Sequence, residues 1–124
     1  MRKGNTLADC RNQLLDRLYI AHNEVLIVKN NLKDNLRFIN ATQDTLNKYK
    51  TVLHGFLLAS RLSSRLDVTD KQIEMAKDTI KGKQRALYNL FLNRKYLKLK
   101  YKAAQRKESK ALCHLKKFDN KMKK

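Results

Sequence analysis

Apolar side chains recur along the first half of this chain at alternating spacings of four and three residues. One row runs Leu7, Leu14, Ala21, Val28, Asn35, Thr42, Tyr49 and Phe56, and the row between them Arg11, Leu18, Val25, Leu32, Ile39, Leu46 and Leu53. Only Arg11, Asn35 and Thr42 are polar among these fifteen positions. A 3.5-residue period held for about seven heptads marks a coiled-coil helix, whose seam requires a partner of similar length. Thr6 suits the N-cap, with Asp9 three residues on as capping-box partner and as a carboxylate near the positive helix end. Gly55 is the first residue suited to a C-terminal cap. Helix one is therefore predicted over about residues 6–54, roughly 70 Å at 1.5 Å per residue.

From Gly55 to Val68 a glycine, three serines and Asp67 predict a connector, about 55–68, long enough to reverse the chain. It is rich in apolar groups for a solvent loop. Phe56, Leu57, Leu58 and Leu62 read either as a cap on the open end of the seam or as a docking patch at the tip. Helix two, about 69–122, has a strong local start. Thr69 and Gln72 form a capping box, and Val68 can pack on Ile73 as a hydrophobic staple. Its seam reads Ile73, Ala76, Ile80, Leu87, Leu90, Leu97, Tyr101, Ala104, Ala111, Leu115, Phe118 and Met122. Lys83, Arg94 and Glu108 fall at core positions of the same register, and Gly82 costs roughly 1 kcal/mol relative to alanine inside a helix.

Equal arms on either side of a midpoint break predict an all-α fold: two long helices in an antiparallel coiled-coil hairpin, one domain over 1–124. Pairing the seams from Phe56 and Ile73 outward makes facing residue numbers total roughly 129. That register sets Asn35 within a turn of Arg94, a polar layer able to hold the alignment, and Cys10 within a turn of Cys113. Parallel self-association of helix one is the competing arrangement. The absence of proline and the presence of only three glycines agree with long helices.

Charge alters the picture more than composition does. The chain carries 29 basic and 11 acidic residues, a formal charge of +18. The excess is local: residues 81–124 hold sixteen basic and two acidic residues, against nine and five in 1–53. Such an excess points to acidic partners, whether nucleic acid, anionic lipid or an acidic protein surface. No apolar run approaches the roughly 18–20 residues of a membrane span, and the basic N-terminus precedes amphipathic sequence, so a cytoplasmic location is expected.

Candidate chemistry is sparse. A two-helix rod offers no cleft for convergent groups, so no enzymatic activity and no small-molecule substrate are expected. His22, His54 and His114 are scattered. A metal site built from Cys10, Cys113 and His114 lacks a fourth ligand. With no glycine-rich phosphate loop, no cofactor is expected either.

The stretch Tyr101-Lys102-Ala103-Ala104-Gln105-Arg106-Lys107-Glu108-Ser109-Lys110-Ala111-Leu112, continued by Leu115, Phe118, Asp119, Asn120 and Met122, resembles the central stalk proteins of flagellar and type III secretion ATPases, the FliJ and YscO group. Nearly all 124 residues fit that family's architecture, and about twenty-five fit at motif level. The resemblance implies a bacterial cytoplasmic protein, peripheral to the inner-membrane export apparatus. It would stand in the pore of a hexameric secretion ATPase, promote its assembly and hydrolysis, and connect it to the export gate, with export chaperones as further partners. On that reading the pore contacts are Arg11, Arg17, Lys95, Lys98, Lys102, Arg106, Lys107, Lys110, Lys117 and Lys121. Phe56, Leu57, Leu58 and Leu62 would dock at the gate. The competing expectation is a nucleic-acid-binding coiled coil, in which Tyr88, Tyr96 and Tyr101 stack on bases. Interleaving of those tyrosines with the seam speaks against it.

Overall fold

The computed structural model describes residues 6–62 and 70–123, the side chain of Leu62 excepted. Two helices account for nearly all of them: α1, Leu7–Leu62, and α2, Asp70–Met122. They pack against each other as an antiparallel hairpin, and no strand occurs among the described residues. The start of α1 follows the expectation. The Asp9 amide donates to Thr6 Oγ1 at 3.1 Å, the Thr6 amide donates to Asp9 Oδ2 at 3.5 Å, and the Cys10 amide reaches the Thr6 carbonyl at 3.0 Å. This reciprocal bonding satisfies donors that a helix start otherwise leaves open. The capping box at Thr69 and the staple from Val68 lie outside the described residues.

One expectation is corrected. Helix α1 does not end near Leu53 or His54 but runs through Gly55 to Leu62, so the first part of the expected connector at 55–68 is helical. A glycine inside a helix costs only about 1 kcal/mol, and no proline follows to break the ladder. Leu53, Phe56, Leu57 and Ala59 are half-buried, so the apolar face continues beyond the glycine. A Cβ built on Gly55 or on Gly82 meets nothing within 4 Å, so both glycines point to open surroundings.

The chain divides into two compact units, Met1–Lys33 with Lys95–Lys124 (unit 1) and Asp34–Arg94 (unit 2). In unit 1 the core is Ala21, Val25 and Val28 of α1 with Leu97, Ala104 and Leu115 of α2. In unit 2 it is Ile39 and Leu46 with Ile73, Ala76 and Ile80. Every one of these belongs to the predicted seam. Deviations fall on Leu7, Tyr49 and Met122, which are exposed.

Unit 2 contains the polar layer. Asn35 is only 3% exposed. Its Nδ2 donates to the Leu90 carbonyl at 3.0 Å, and Arg94 Nη1 donates to its Oδ1 at 3.4 Å. The amide is thus satisfied on both sides, which a buried amide requires. Lys83, the other basic residue in this part of the seam, is half-buried, as a long aliphatic stem over apolar neighbours allows.

Candidate functional site

The chemistry of unit 1 is set by where its charges point. The stretch of α2 in this unit carries twelve basic residues between Lys95 and Lys124 and two acidic ones, Glu108 and Asp119. Both acids are half-buried and turned to α1. Asp119 receives Arg11 through two contacts, Nε to Oδ1 at 3.0 Å and Nη2 to Oδ2 at 3.4 Å. Glu108 Oε2 meets His22 Nδ1. A third contact joins Lys107 Nζ to Glu24 Oε2 at 3.8 Å. The expectation that Cys10 lies within a turn of Cys113 is corrected: its neighbour Arg11 faces Asp119, six residues or about 9 Å along the helix from Cys113. Cys10 and Cys113 are both free thiols.

The hydrogen bond and the charge of Asp119 hold the Arg11 guanidinium above its ordinary value. A cation stabilised in this way contributes at every pH below the ordinary arginine value and ceases to do so only as pH rises through the shifted one. Physiological pH lies far inside that window. The pair is solvent-exposed, so it sets geometry more than it adds stability.

With both acids committed to the helix–helix flank, the charges on the outward faces of this part of α2 are all cationic. Lys95, Lys98, Lys102, Arg106, Lys110, Lys117 and Lys121 are all exposed, and none forms an ion pair among the described residues. Arg17 on α1 is exposed and likewise outside these pairs. Arg11 and Lys107, counted with them in the sequence reading, differ because each already holds a carboxylate of the other helix. Unit 1 as a whole has eighteen basic and five acidic residues, and unit 2 eleven and six.

Phe56, Leu57 and Leu58 sit on the last turns of α1 rather than on a connector. Phe56 and Leu57 are half-buried, and Leu58 is exposed. For Leu62, the described part is its backbone at the end of α1. Of the three tyrosines set against base stacking, only Tyr101 lies in the seam, half-buried. Tyr88 and Tyr96 are 64% and 57% exposed, which corrects the expectation that all three interleave with it. The Lys100 ammonium lies over the Tyr96 ring, 5.4 Å from its centroid.

Two grooves between the helices of unit 1 were not legible as sites in the sequence. One is lined by Leu15, Leu18, Tyr19 and Leu112 around the His22–Glu108 contact. The other contains Ile20 and Ile27, exposed on α1. Their seven-residue spacing was the available signal. No helix among the described residues is long and apolar enough to cross a membrane. No family model matches the sequence, and no curated protein or solved structure does.

Proposed function

We propose that this chain is a non-enzymatic central stalk of a bacterial type III secretion ATPase. It would insert in the pore of the ATPase hexamer, promote assembly and ATP hydrolysis, and couple the ATPase to the export gate at the cytoplasmic side of the inner membrane. The observation that carries the reading is the outward face of α2 in unit 1, whose charges are all cationic, with Glu108 and Asp119 committed to α1. A pore lined with carboxylates is the complementary surface, and charge of one sign around a helix can meet several subunits of a ring at once. Unequal contacts to those subunits bias the conformation of each, which is how a rigid stalk modulates hydrolysis. Leu58, with Phe56, Leu57 and Leu62, belongs to the gate-facing end of this scheme.

Affinity capture with the tagged chain from its native cytoplasm tests the reading. Recovery of a hexameric ATPase is expected, and the triple reversal Lys102→Glu, Arg106→Glu, Lys110→Glu is expected to abolish both recovery and stimulation of hydrolysis while helix content stays unchanged. Recovery of ribosomes or DNA instead would overturn it, as would undiminished stimulation by the triple variant.

One observation favours a second reading, binding of nucleic acid: the exposure of Tyr88 and Tyr96 on a strongly basic helix. Aromatic faces beside cations suit single-stranded bases. Titration with an oligonucleotide at two salt concentrations separates the readings. Tight binding at physiological salt, with a steep salt slope and loss on Tyr96→Ala, favours nucleic acid.

A further inference from the structure

One flank of unit 1 holds a trough that the seam does not fill. It consists of two depressions, one of about 320 Å³ reaching Arg17, Ile20 and Lys110, the next of about 270 Å³ reaching Ile27, Lys100 and Ala103. Glu24 and Lys107 line both, so the two are neighbours along the helix pair with the Glu24–Lys107 contact between them. Each is near or below the lower end of small-molecule sites, about 300 Å³. Together they suit a length of polypeptide better than a compact ligand.

The pattern of the lining says which polypeptide. Ile20 and Ile27 are 60% and 59% exposed and share one face of α1, two turns or about 10.5 Å apart. Across the trough the α2 wall is low, made by Ala103, Ala104 and Ala111, which lets a third backbone come close. Arg17, Lys100 and Lys110 border the two apolar ends, and Glu24, the single acid, lies between Ile20 and Ile27 on the same face of α1, neutralised by Lys107 at 3.8 Å. An apolar strip of helical repeat between cationic borders is complementary to a helix with apolar residues on one face and carboxylates on either side.

We propose that this trough docks an acidic amphipathic helix of a partner protein, laid alongside α1 and α2 as a third helix. The inference does not rest on the stalk reading, which shares Arg17, Lys107 and Lys110 with the trough but uses neither isoleucine, so the Ile20→Ser, Ile27→Ser variant separates the two. A second copy of this chain is a poor occupant, because eighteen basic residues against five acidic ones in unit 1 repel their like. The other groove is more apolar, but it carries the carboxylates of Asp16 and Glu108 and so does not match an acidic helix.

The test uses the full chain and labelled 21-residue helical peptides followed by fluorescence anisotropy. One peptide carries a leucine stripe flanked by glutamates, one has lysine in place of every glutamate, and one is a scramble of the first that destroys the stripe. The glutamate peptide is expected to bind at least tenfold tighter than either of the others. The double substitution Ile20→Ser, Ile27→Ser is expected to weaken it about tenfold with helix content unchanged, since both side chains are already exposed. Lys100→Glu with Lys110→Glu, which leaves the apolar strip intact, is expected to weaken it comparably and to admit the lysine peptide. Equal binding of the scramble would reduce the site to charge attraction and overturn the proposal. Indifference to both sets of substitutions would do the same.

Discussion

In unit 2 the helices are aligned from inside the seam, whereas in unit 1 they are aligned from its flanks. The buried Asn35 amide bridges to Leu90 and Arg94 in the first case. In the second, Arg11 with Asp119, His22 with Glu108 and Lys107 with Glu24 clip the helices together at their exposed edges. In unit 2 the ion pair of Asp34 with Arg37 lies within α1. The difference has a physical cost on each side. An interior amide holds one register strongly, because misalignment strands a desolvated polar group. Exposed polar contacts hold it weakly, but they engage three of the five acids of unit 1, including both of those on α2, so that these do not dilute its outward positive charge. Register is thus held in the two units by different polar chemistry.

The largest expected effect probes the interior device. Asn35→Ala removes the bond to Leu90, takes an acceptor from Arg94 and leaves a small void, so urea unfolding should register a loss of roughly 2–3 kcal/mol. Asp119→Ala, cutting an exposed clip, should cost at most about 1 kcal/mol. Equal losses would erase the distinction between the units. Next in size are the glycines. Because neither Gly55 nor Gly82 has a neighbour in the way of a Cβ, Gly55→Ala and Gly82→Ala should each stabilise by about 0.5–1 kcal/mol. Destabilisation by the first would restore Gly55 to the role of a helix terminator. The smallest effect is that of salt. Self-repulsion in unit 1 outweighs its three exposed pairs, so raising sodium chloride from 20 to 300 mM should increase stability by roughly 0.5 kcal/mol. A fall in melting temperature over that range would mean that the clips dominate.

The exceptions to the apolar pattern turned out to be as informative as the pattern. Arg11, Asn35, Arg94 and Glu108 interrupt the 3.5-residue repeat in the sequence, and each is a partner in a contact between the helices. A charge or amide at a seam position is held there most firmly when the opposite helix satisfies it, so these four of the six interruptions marked where the two arms touch, while Lys83 is accommodated by its aliphatic stem. Gly55 misled for a related reason. Its freedom to terminate a helix is a local property, while the apolar face running on through Phe56, Leu57 and Ala59 continued the helix past it.

What the sequence determined by itself was the helical class, the two arms, the faces they bury and the register in which they meet, including the Asn35–Arg94 layer. Those features follow from periodicity, and periodicity is written residue by residue. Tertiary structure alone decided which charges are spent on holding the arms together and which are left exposed. It likewise decided that Tyr88 and Tyr96 stand clear of the seam and that Ile20 and Ile27 share a trough with Lys100 and Lys110. These depend on distances between side chains far apart in the chain, and no local pattern encodes a distance.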